Sequence, residues 1–466
     1  MMVQEYGQFL QKKQTALKAG GFQVDGVLHE DLKEFQRALT RLCLRRGRAA
    51  LLANTGLGKT LMQLVWAHAV CDHTGGRVLI LTPLAVAEQT IAEARKFNIL
   101  DVGLARTNPD ALITVSNYEQ LHKFDPKDFV GIVLDESSIL KHTDAKTRVE
   151  LTEYFAHTPY RLCCSATPSP NDFTEIGNHA EFLGVCSYKE MLATYFVHDG
   201  GIRVENVGGD GWRLKRHAQN DFWHWVSSWA CVVRHPKDIG FAEDGYDLPA
   251  LRKHQVFVDS KEELPPGKLL AEPVTTLSAR ISARRSSVVD RAESAAKIVQ
   301  TRPDEPWLIW CGLNAEADAV TRLLPDAEEV RGSDTTAAKT KALLGFCVGK
   351  PLMLVSKPRI AGFGMNWQHC SNMIFLGLND SFEQVFQATR RCWRFGQTKP
   401  VDVWLVISRR EGPVLKNLER KEREFETMVA ALTSHTNVWL REQLEDELAP
   451  ETPVMRATTI KLPAWL

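Results

Sequence analysis

The chain has 466 residues, 44% hydrophobic and 24% charged. That composition sets aside a long disordered, collagen-like or low-complexity chain and leaves a soluble globular protein, with room for roughly three domains. Lys plus Arg and Asp plus Glu both number 57, so the formal net charge is zero; this excludes coating of nucleic acid through bulk charge but leaves a local basic groove open.

No apolar run approaches the roughly 20 residues of a membrane helix. The N-terminal Met1-Met2-Val3-Gln4-Glu5-Tyr6 lacks the basic-then-apolar pattern of a signal peptide. Ten cysteines are scattered without a CxxC pair, and Cys163-Cys164 are adjacent in an apolar run. Such usage predicts buried thiols in a reducing, cytoplasmic setting, with neither a disulfide framework nor a zinc site.

In chain order, the apolar run Ala49-Ala50-Leu51-Leu52 leads into Ala53-Asn54-Thr55-Gly56-Leu57-Gly58-Lys59-Thr60, and Leu61 to Trp66 continues as a helix. Gly56 and Gly58 let the backbone wrap a phosphate, with N–H groups and a helix N-terminus aimed at the anion. Lys59 reaches the β- and γ-phosphates and Thr60 binds magnesium in such a loop. The first position is Ala where the strict pattern has Gly; the strand–loop–helix context carries the match.

Val78-Leu79-Ile80-Leu81 runs into Thr82-Pro83, and Ile132-Val133-Leu134 into Asp135-Glu136. Asp135 is placed to hold the metal through its water shell, and Glu136 to orient and deprotonate an attacking water. Leu162-Cys163-Cys164 runs into Ser165-Ala166-Thr167. In the second half, Trp307 to Trp310, Leu352 to Val355, Met373 to Leu376 and Val401 to Ile407 repeat the pattern. Helical stretches such as Ala85 to Phe97 and Ala315 to Leu324 lie between. Strands alternating with helices predict parallel sheets covered on both faces, with ligands beyond the carboxyl ends of the strands.

Two such blocks fall at 30–185 and 290–410, after an N-terminal extension at 1–29. Between them, 186–289 reads as a helical insertion and linker. It holds Gly200-Gly201 and Gly208-Gly209, and the aromatics Trp212, Phe222, Trp223, Trp225 and Trp229. Arg203, Arg213, Lys215 and Arg216 flank these, and Pro249 and Pro265-Pro266 mark connecting segments. Aromatics among basic residues grip nucleic acid in some proteins; a small domain core with a solvated basic face is the favoured reading. The segment Gln387 to Gln397 follows Asn379-Asp380 and sets Arg391 and Arg394 three apart on one helical face, where they offer positive charge for phosphoryl transfer. Over 411–466 the pattern becomes a C-terminal helix and tail. Val414, Leu415, Leu418, Phe425, Met428, Val429 and Leu432 keep i, i+3, i+4 spacing. This helix is expected to pack back on the second block, and the tail beyond Glu445-Asp446-Glu447 to be extended.

Together these residues resemble superfamily 2 helicases and translocases, and within them the Swi/Snf branch, in a compact form. Gln36 lies where the family places its adenine-reading glutamine. Ala53 to Thr60 resembles motif I, Leu81-Thr82-Pro83-Leu84 motif Ia, and Ile113 to Glu119 the pattern ending in Asn-Tyr-Glu. Leu134-Asp135-Glu136-Ser137-Ser138 with Lys141 resembles motif II, although Ser137-Ser138 replace the usual Gly/Ala-His. Ser165-Ala166-Thr167-Pro168 with Asn171 resembles motif III, Trp307 to Cys311 motif IV, and Ala361 to Trp367 motif V. Gln387 to Gln397 fits the branch form of motif VI, which selects Arg391 and Arg394 over Arg390 as arginine fingers. Asp247-Leu248-Pro249 is a further branch-like feature.

The resemblance implies an α/β fold of two tandem RecA-like parallel-sheet domains that close on ATP and Mg2+. Gln36, Asn54, Thr55, Gly56, Leu57, Gly58, Lys59 and Thr60 bind the nucleotide in this reading, and Thr60 and Asp135 the metal. Glu136, Gln387, Arg391 and Arg394 are the catalytic side chains. Thr82, Ser116, Asn117, Thr167 and Asn366 are groove or coupling residues. The implied activity is DNA-dependent ATP hydrolysis coupled to translocation on, or remodelling of, duplex DNA, through sequence-independent, salt-sensitive backbone contacts. The alternatives are an RNA helicase, and an ATP-driven remodeller that meets a protein partner through residues 200–230 or the C-terminal helix. A degenerate, non-hydrolysing binder is disfavoured because Lys59, Asp135, Glu136, Arg391 and Arg394 are all present.

Overall fold

The computed structural model describes residues 20–84, 86–141, 146–167, 173–198, 211–242, 245–258, 284–361, 365–378 and 381–448. Among these described residues the strands are β1 (Arg48–Ala53), β2 (Arg77–Thr82), β3 (Val102–Leu104), β4 (Ile113–Asn117), β5 (Phe129–Asp135), β6 (Tyr160–Cys164), β7 (Phe196–His198), β8 (Trp212–Leu214), β9 (Ala230–Val233), β10 (Leu251–Val258), β11 (Trp307–Cys311), β12 (Glu328–Val330), β13 (Met353–Ser356), β14 (Asn372–Leu376) and β15 (Val401–Ser408).

Seven strands form the first sheet, in the order β3-β4-β2-β5-β6-β1-β9, and six the second, in the order β10-β15-β14-β11-β13-β12. Every pairing in both is parallel. Central strands such as β1 and β11 are buried along nearly their whole length, as apolar runs covered by helices on both faces must be. These are tandem RecA-like α/β domains, one lobe per sheet. Parallel pairing brings the strand ends Ala53, Thr82, Asn117 and Asp135 to one edge of the first sheet, where the polar residues of the sequence motifs begin.

Besides its helices, the stretch between the two blocks contributes a strand to each sheet. β9 pairs with β1 as the seventh strand of the first, and β10 pairs with β15 at the edge of the second. β9 is only four residues long, too short for periodicity to reveal. β10 has no fully buried position and alternates half-buried and exposed residues from Lys253 on, as an edge strand. The aromatic cluster is core. Phe222, Trp223, Trp225 and Trp229 are all buried on the helix Gln219–Trp229. They pack with Tyr195, Phe196 and Ala180 against one face of the first sheet, so a nucleic-acid grip by these rings is not what the fold builds. Gly200-Gly201, Gly208-Gly209, Arg203 and Pro265-Pro266 lie outside the described residues.

The C-terminal helix runs over Gly412–Leu448. Its first half packs on the second lobe, through Val414, Leu415, Leu418 and Phe425. Its second half reaches the first lobe, with Leu432 in one core there and Leu440 and Leu444 in the other. The expectation of packing on the second block holds for the first half only, because the apolar stripe continues to Leu444. Arg46 donates to Gln443 Oε1 at 2.6 Å, and Arg441 to the carbonyl of Asp238 at 2.9 Å. No helix among the described residues is long and apolar enough to cross a membrane. All ten cysteines are free thiols, eight of them buried.

Trp229 is fully buried and meets Trp225 edge to face at 5.4 Å. Trp229→Ala should cost about 3–5 kcal/mol in urea unfolding; a loss below about 1 kcal/mol would contradict the core assignment.

Candidate active site

The loop after β1 depends on two glycines. Gly56 and Gly58 have φ of 90° and 80°, the left-handed region that side chains rarely adopt. A Cβ on Gly58 would lie 2.3 Å from Gln36 Nε2, and one on Gly56 2.9 Å from the backbone nitrogen of Phe395 on the second lobe. Gly58 then caps the helix Lys59–Thr74. Gln36 fixes the loop from behind: its Nε2 donates to the Leu57 carbonyl at 2.9 Å, and its Oε1 accepts from the Lys33 N–H at 2.9 Å. Lys59 Nζ donates to the carbonyls of Ala53 and Asn54 at 2.8 and 3.2 Å. Burial lowers its pKa, against the pull of Glu136 and Asp135. Asn54 Oδ1 accepts from the Thr55 N–H at 2.8 Å, while Thr55 Oγ1 is buried without a partner. Thr60 is half-buried in the first turn of the helix.

Asp135 ends β5. Its Oδ1 accepts from Gln63 Nε2 at 2.7 Å, and its carbonyl accepts from the Tyr118 hydroxyl at 2.7 Å. Glu136 follows at a φ of 53°, a strained conformation that marks sites where geometry is imposed. Burial raises both carboxyl pKa values. Gln63 and Lys59 oppose the rise at Asp135. Glu136 is pushed up to about 7, with Lys59 and Arg391 opposing. Its Oε2 is buried and unpartnered. Ser137 Oγ meets His179 Nε2 at 3.1 Å. Burial brings His179 down to about 4, so it is neutral at pH 7. A histidine from the helix Ile176–Leu183 thus meets Ser137, the residue after Glu136, although Ser138 stands at the position where the family's motif carries one.

The second lobe closes the site through the helix Phe382–Thr389 and the turn after it. Arg391 Nε donates to the Gln387 carbonyl at 3.0 Å, Nη2 to Gln387 Oε1 at 3.1 Å and Nη1 to the Met365 carbonyl at 3.4 Å. Burial, and after it the charge of Arg394, lower Arg391 to about 10, with Glu136 and Asp135 opposing. It stays charged at neutral pH. Arg394 is also lowered by burial, and its charge is felt at Lys59. Among the described residues, two polar contacts cross between the lobes here: Gln387 Nε2 donates to Thr167 Oγ1 at 3.4 Å, and Lys141 pairs with Glu383.

The groove and coupling candidates divide by burial. Thr82, Ser116 and Thr167 are buried. Thr82 Oγ1 is 3.1 Å from the Pro83 carbonyl and 3.4 Å from that of Ser116, which ties β2 to β4. Asn117 and Asn366 are half-buried, each with a buried, unpartnered Oδ1. Pro168, Asn171, residues 362–364 and Asn379-Asp380 lie outside the described residues. Sequence reasoning missed Gln63, His179 and Glu383. Gln63 had a signal, four residues beyond Lys59 on one helix face. His179 and Glu383 reach the site only through long-range packing.

The arrangement fits a nucleoside triphosphate with Mg2+. It offers a glycine cradle that a Cβ would fill, an unpartnered Thr55 hydroxyl, and hard oxygen donors at Thr60 and Asp135. Residues 33–176 match the family model described as DEAD/DEAH box helicase. A curated relative, the SWI/SNF chromatin-remodeling complex subunit snf22 of Schizosaccharomyces pombe, is 24% identical over 172 residues, 31% of this chain and 10% of the relative. A solved structure, the ATP-dependent Type ISP restriction-modification enzyme LlaBIII bound to DNA, superposes with a TM-score of 0.54 at 13% identity, over 85% of this chain and 30% of that one. The chain thus spans about a tenth of the one relative and under a third of the other. Its match to the DEAD/DEAH box helicase model covers residues 33–176, under a third of its length, and makes the chain similar to helicases over that stretch.

Glu136 binds its proton more tightly in the folded chain, so its contribution to stability is lost as pH rises from 4.5 through about 7. Glu136→Gln should therefore melt higher than wild type at pH 8, by up to about 3 kcal/mol, with the gap closing toward pH 5. A gap that is the same at both values would contradict this environment for Glu136.

Proposed function

We propose that the chain is a DNA-dependent ATPase that couples hydrolysis to movement along duplex DNA. The observation that carries the reading is the meeting of two lobes at one site: a glycine loop, Lys59 and two carboxylates on the first, Arg391 and Arg394 on the second. Residues 30–185 and 290–410 are the two motor domains in this proposal, with 1–29 as extension, 186–289 as insertion and linker, and 411–466 as C-terminal helix and tail.

ATP with Mg2+, when bound, supplies the phosphoryl group to be transferred and part of the charge that screens it. Lys59, Thr60 and Asp135 are the side chains that would hold them. The backbone N–H groups of the glycine loop orient the phosphates. Gln36, held on the loop by Leu57 and Lys33, is the side chain that would read the base in this proposal. Glu136 Oε2 is the atom suited to take the proton of an attacking water, and its raised pKa places that transfer near neutral pH. Arg391 and Arg394 offset negative charge that develops at the site, so turnover depends on the lobes being together.

Gln387 bonds Arg391 and touches Thr167 on the first lobe, so it would pass the state of the site to the strand ends. Thr82, Ser116 and Thr167, being buried, act as coupling residues in this reading. Asn117 and Asn366 are left as the candidates for contact with a nucleic-acid backbone. The DNA-bound state of the solved neighbour supports DNA as the partner.

Steady-state ATP hydrolysis should be stimulated most by duplex DNA, less by single-stranded DNA or RNA, and be abolished by Glu136→Gln. Stimulation by RNA alone would move the protein to the RNA reading; none by any nucleic acid would end the autonomous motor. Arg391→Gln should lower kcat about a thousandfold with little change in KM. A change in KM alone would assign Arg391 to substrate binding only.

A further inference from the structure

Arg390 and Arg391 are neighbours that face different places. A cavity of about 1190 Å3 lies beneath the helix Gly412–Leu448, between the lobes. Its apolar walls include Leu52 and Val232 from the first sheet, Leu405 from the second, Phe386 from the helix Phe382–Thr389, and Leu418 and Phe425 from the long helix. It is separate from the nucleotide cleft. None of Gln36, residues 56–60, Asp135, Glu136, Arg391 or Arg394 lines it; Asn54 is on the shared margin.

Arg390 is 9% exposed and lines this cavity. Its Nε and Nη1 are buried with no hydrogen-bond partner. The guanidinium lies 4.3 Å from the ring centroid of Trp393 and 5.1 Å from that of Phe386. These rings attract its charge but leave those N–H donors unused. Trp393 is itself anchored, with Nε1 donating to the Pro249 carbonyl at 2.7 Å. Burial lowers Arg390 to about 10; Arg234 adds repulsion and Glu426 a partial balance.

Four basic residues (Arg234, Lys253, Arg390, Arg423) and three acidic ones (Glu419, Glu422, Glu426) line the cavity. Glu422 is paired with Lys253, and Glu419 accepts from Gln255 at 2.9 Å. Arg390 thus feels the charge of Arg234, an exposed residue at the cavity margin, and of Glu426, and Arg423 is a further guanidinium on the wall. A buried guanidinium with idle donors is unfavourable, and a bound anion supplies the missing acceptors. The apolar walls suit a hydrophobic body attached to it.

We propose that this cavity is a second ligand site, for a small amphiphilic anion. One carboxylate or phosphate head would lie at Arg390 and Arg234, and an apolar body under the long helix. Because both lobes and the helix line the cavity, the ligand would touch all three at once.

The test is titration of the full chain with anilinonaphthalene sulfonate, an aromatic sulfonate whose fluorescence rises in apolar surroundings next to cations. One saturable class of sites is expected. It should be weakened at least about tenfold by Arg390→Met and, independently, by Leu418→Trp, which narrows the cavity from the long helix. Laurate and dodecyl phosphate should displace the probe, and the better competitor identifies the head group. Dodecyl maltoside, neutral with the same tail, should not.

Absence of saturable binding would overturn the proposal. So would displacement by ATP with Mg2+, which would place the probe in the nucleotide cleft, or equal displacement by the neutral detergent. Wild-type affinity in a folded Arg390→Met would overturn it as well. If that variant does not fold, Leu418→Trp and the competition series decide alone.

Discussion

At the buried end of β5, desolvation raises the pKa of both Asp135 and Glu136. Positive charge opposes that rise from two directions. Lys59 lies in the same lobe, and Arg391 comes from the other; both lower the pKa of Glu136. The pull is mutual, since the carboxylates support the charge of Lys59 and Arg391 against burial. Charges in a low-dielectric site act strongly and over short distances. Parting the lobes would weaken the hold on the Glu136 carboxylate, and bringing them together would strengthen it. Lobe position and the protonation of this site are thus one coupled property.

Much of the remaining structure controls that approach. Parallel strands deliver the motif residues to one sheet edge, and strained or glycine backbone at residues 56, 58 and 136 sets their direction. Gln387 to Thr167 and Lys141 to Glu383 span the gap close to the site. Farther out, the helix Gly412–Leu448 is seated in the cores of both lobes. A single rigid element fixed at both ends restricts relative motion of the lobes to modes that bend it or slide it on one seat. The cavity under its middle lies along that span.

The sequence was most legible where chemistry is local. The loop at 53–60 and the Asp135-Glu136 strand end are contiguous, and each follows the strand its apolar neighbours predicted; the 387–397 segment is contiguous too, but its helix ends at Thr389, so Arg391 and Arg394 lie in the turn beyond it and not on a helical face as expected. The apolar runs at 78–81, 132–134, 307–310 and 373–376 fall within strands for the same reason: both faces are buried, so the run is unbroken. β9 and β10 were hidden by brevity and by edge exposure. The tryptophans around 212–229 were ambiguous because a ring that stacks on a base and a ring that fills a core have the same composition. Burial separates them, and burial is tertiary. The partners of the site that come from afar left no trace in spacing, as His179 and Glu383 show. The grip of Gln36 on Leu57 and Lys33 is visible only in three dimensions.

The most direct test is displacement of a triplex-forming oligonucleotide from duplex DNA, which reports movement along the duplex without requiring strand separation. The account predicts ATP-dependent displacement by the wild-type chain and none by Glu136→Gln. Vigorous DNA-stimulated hydrolysis without displacement would contradict movement along duplex DNA as the function, and displacement by the variant would contradict the role given to Glu136.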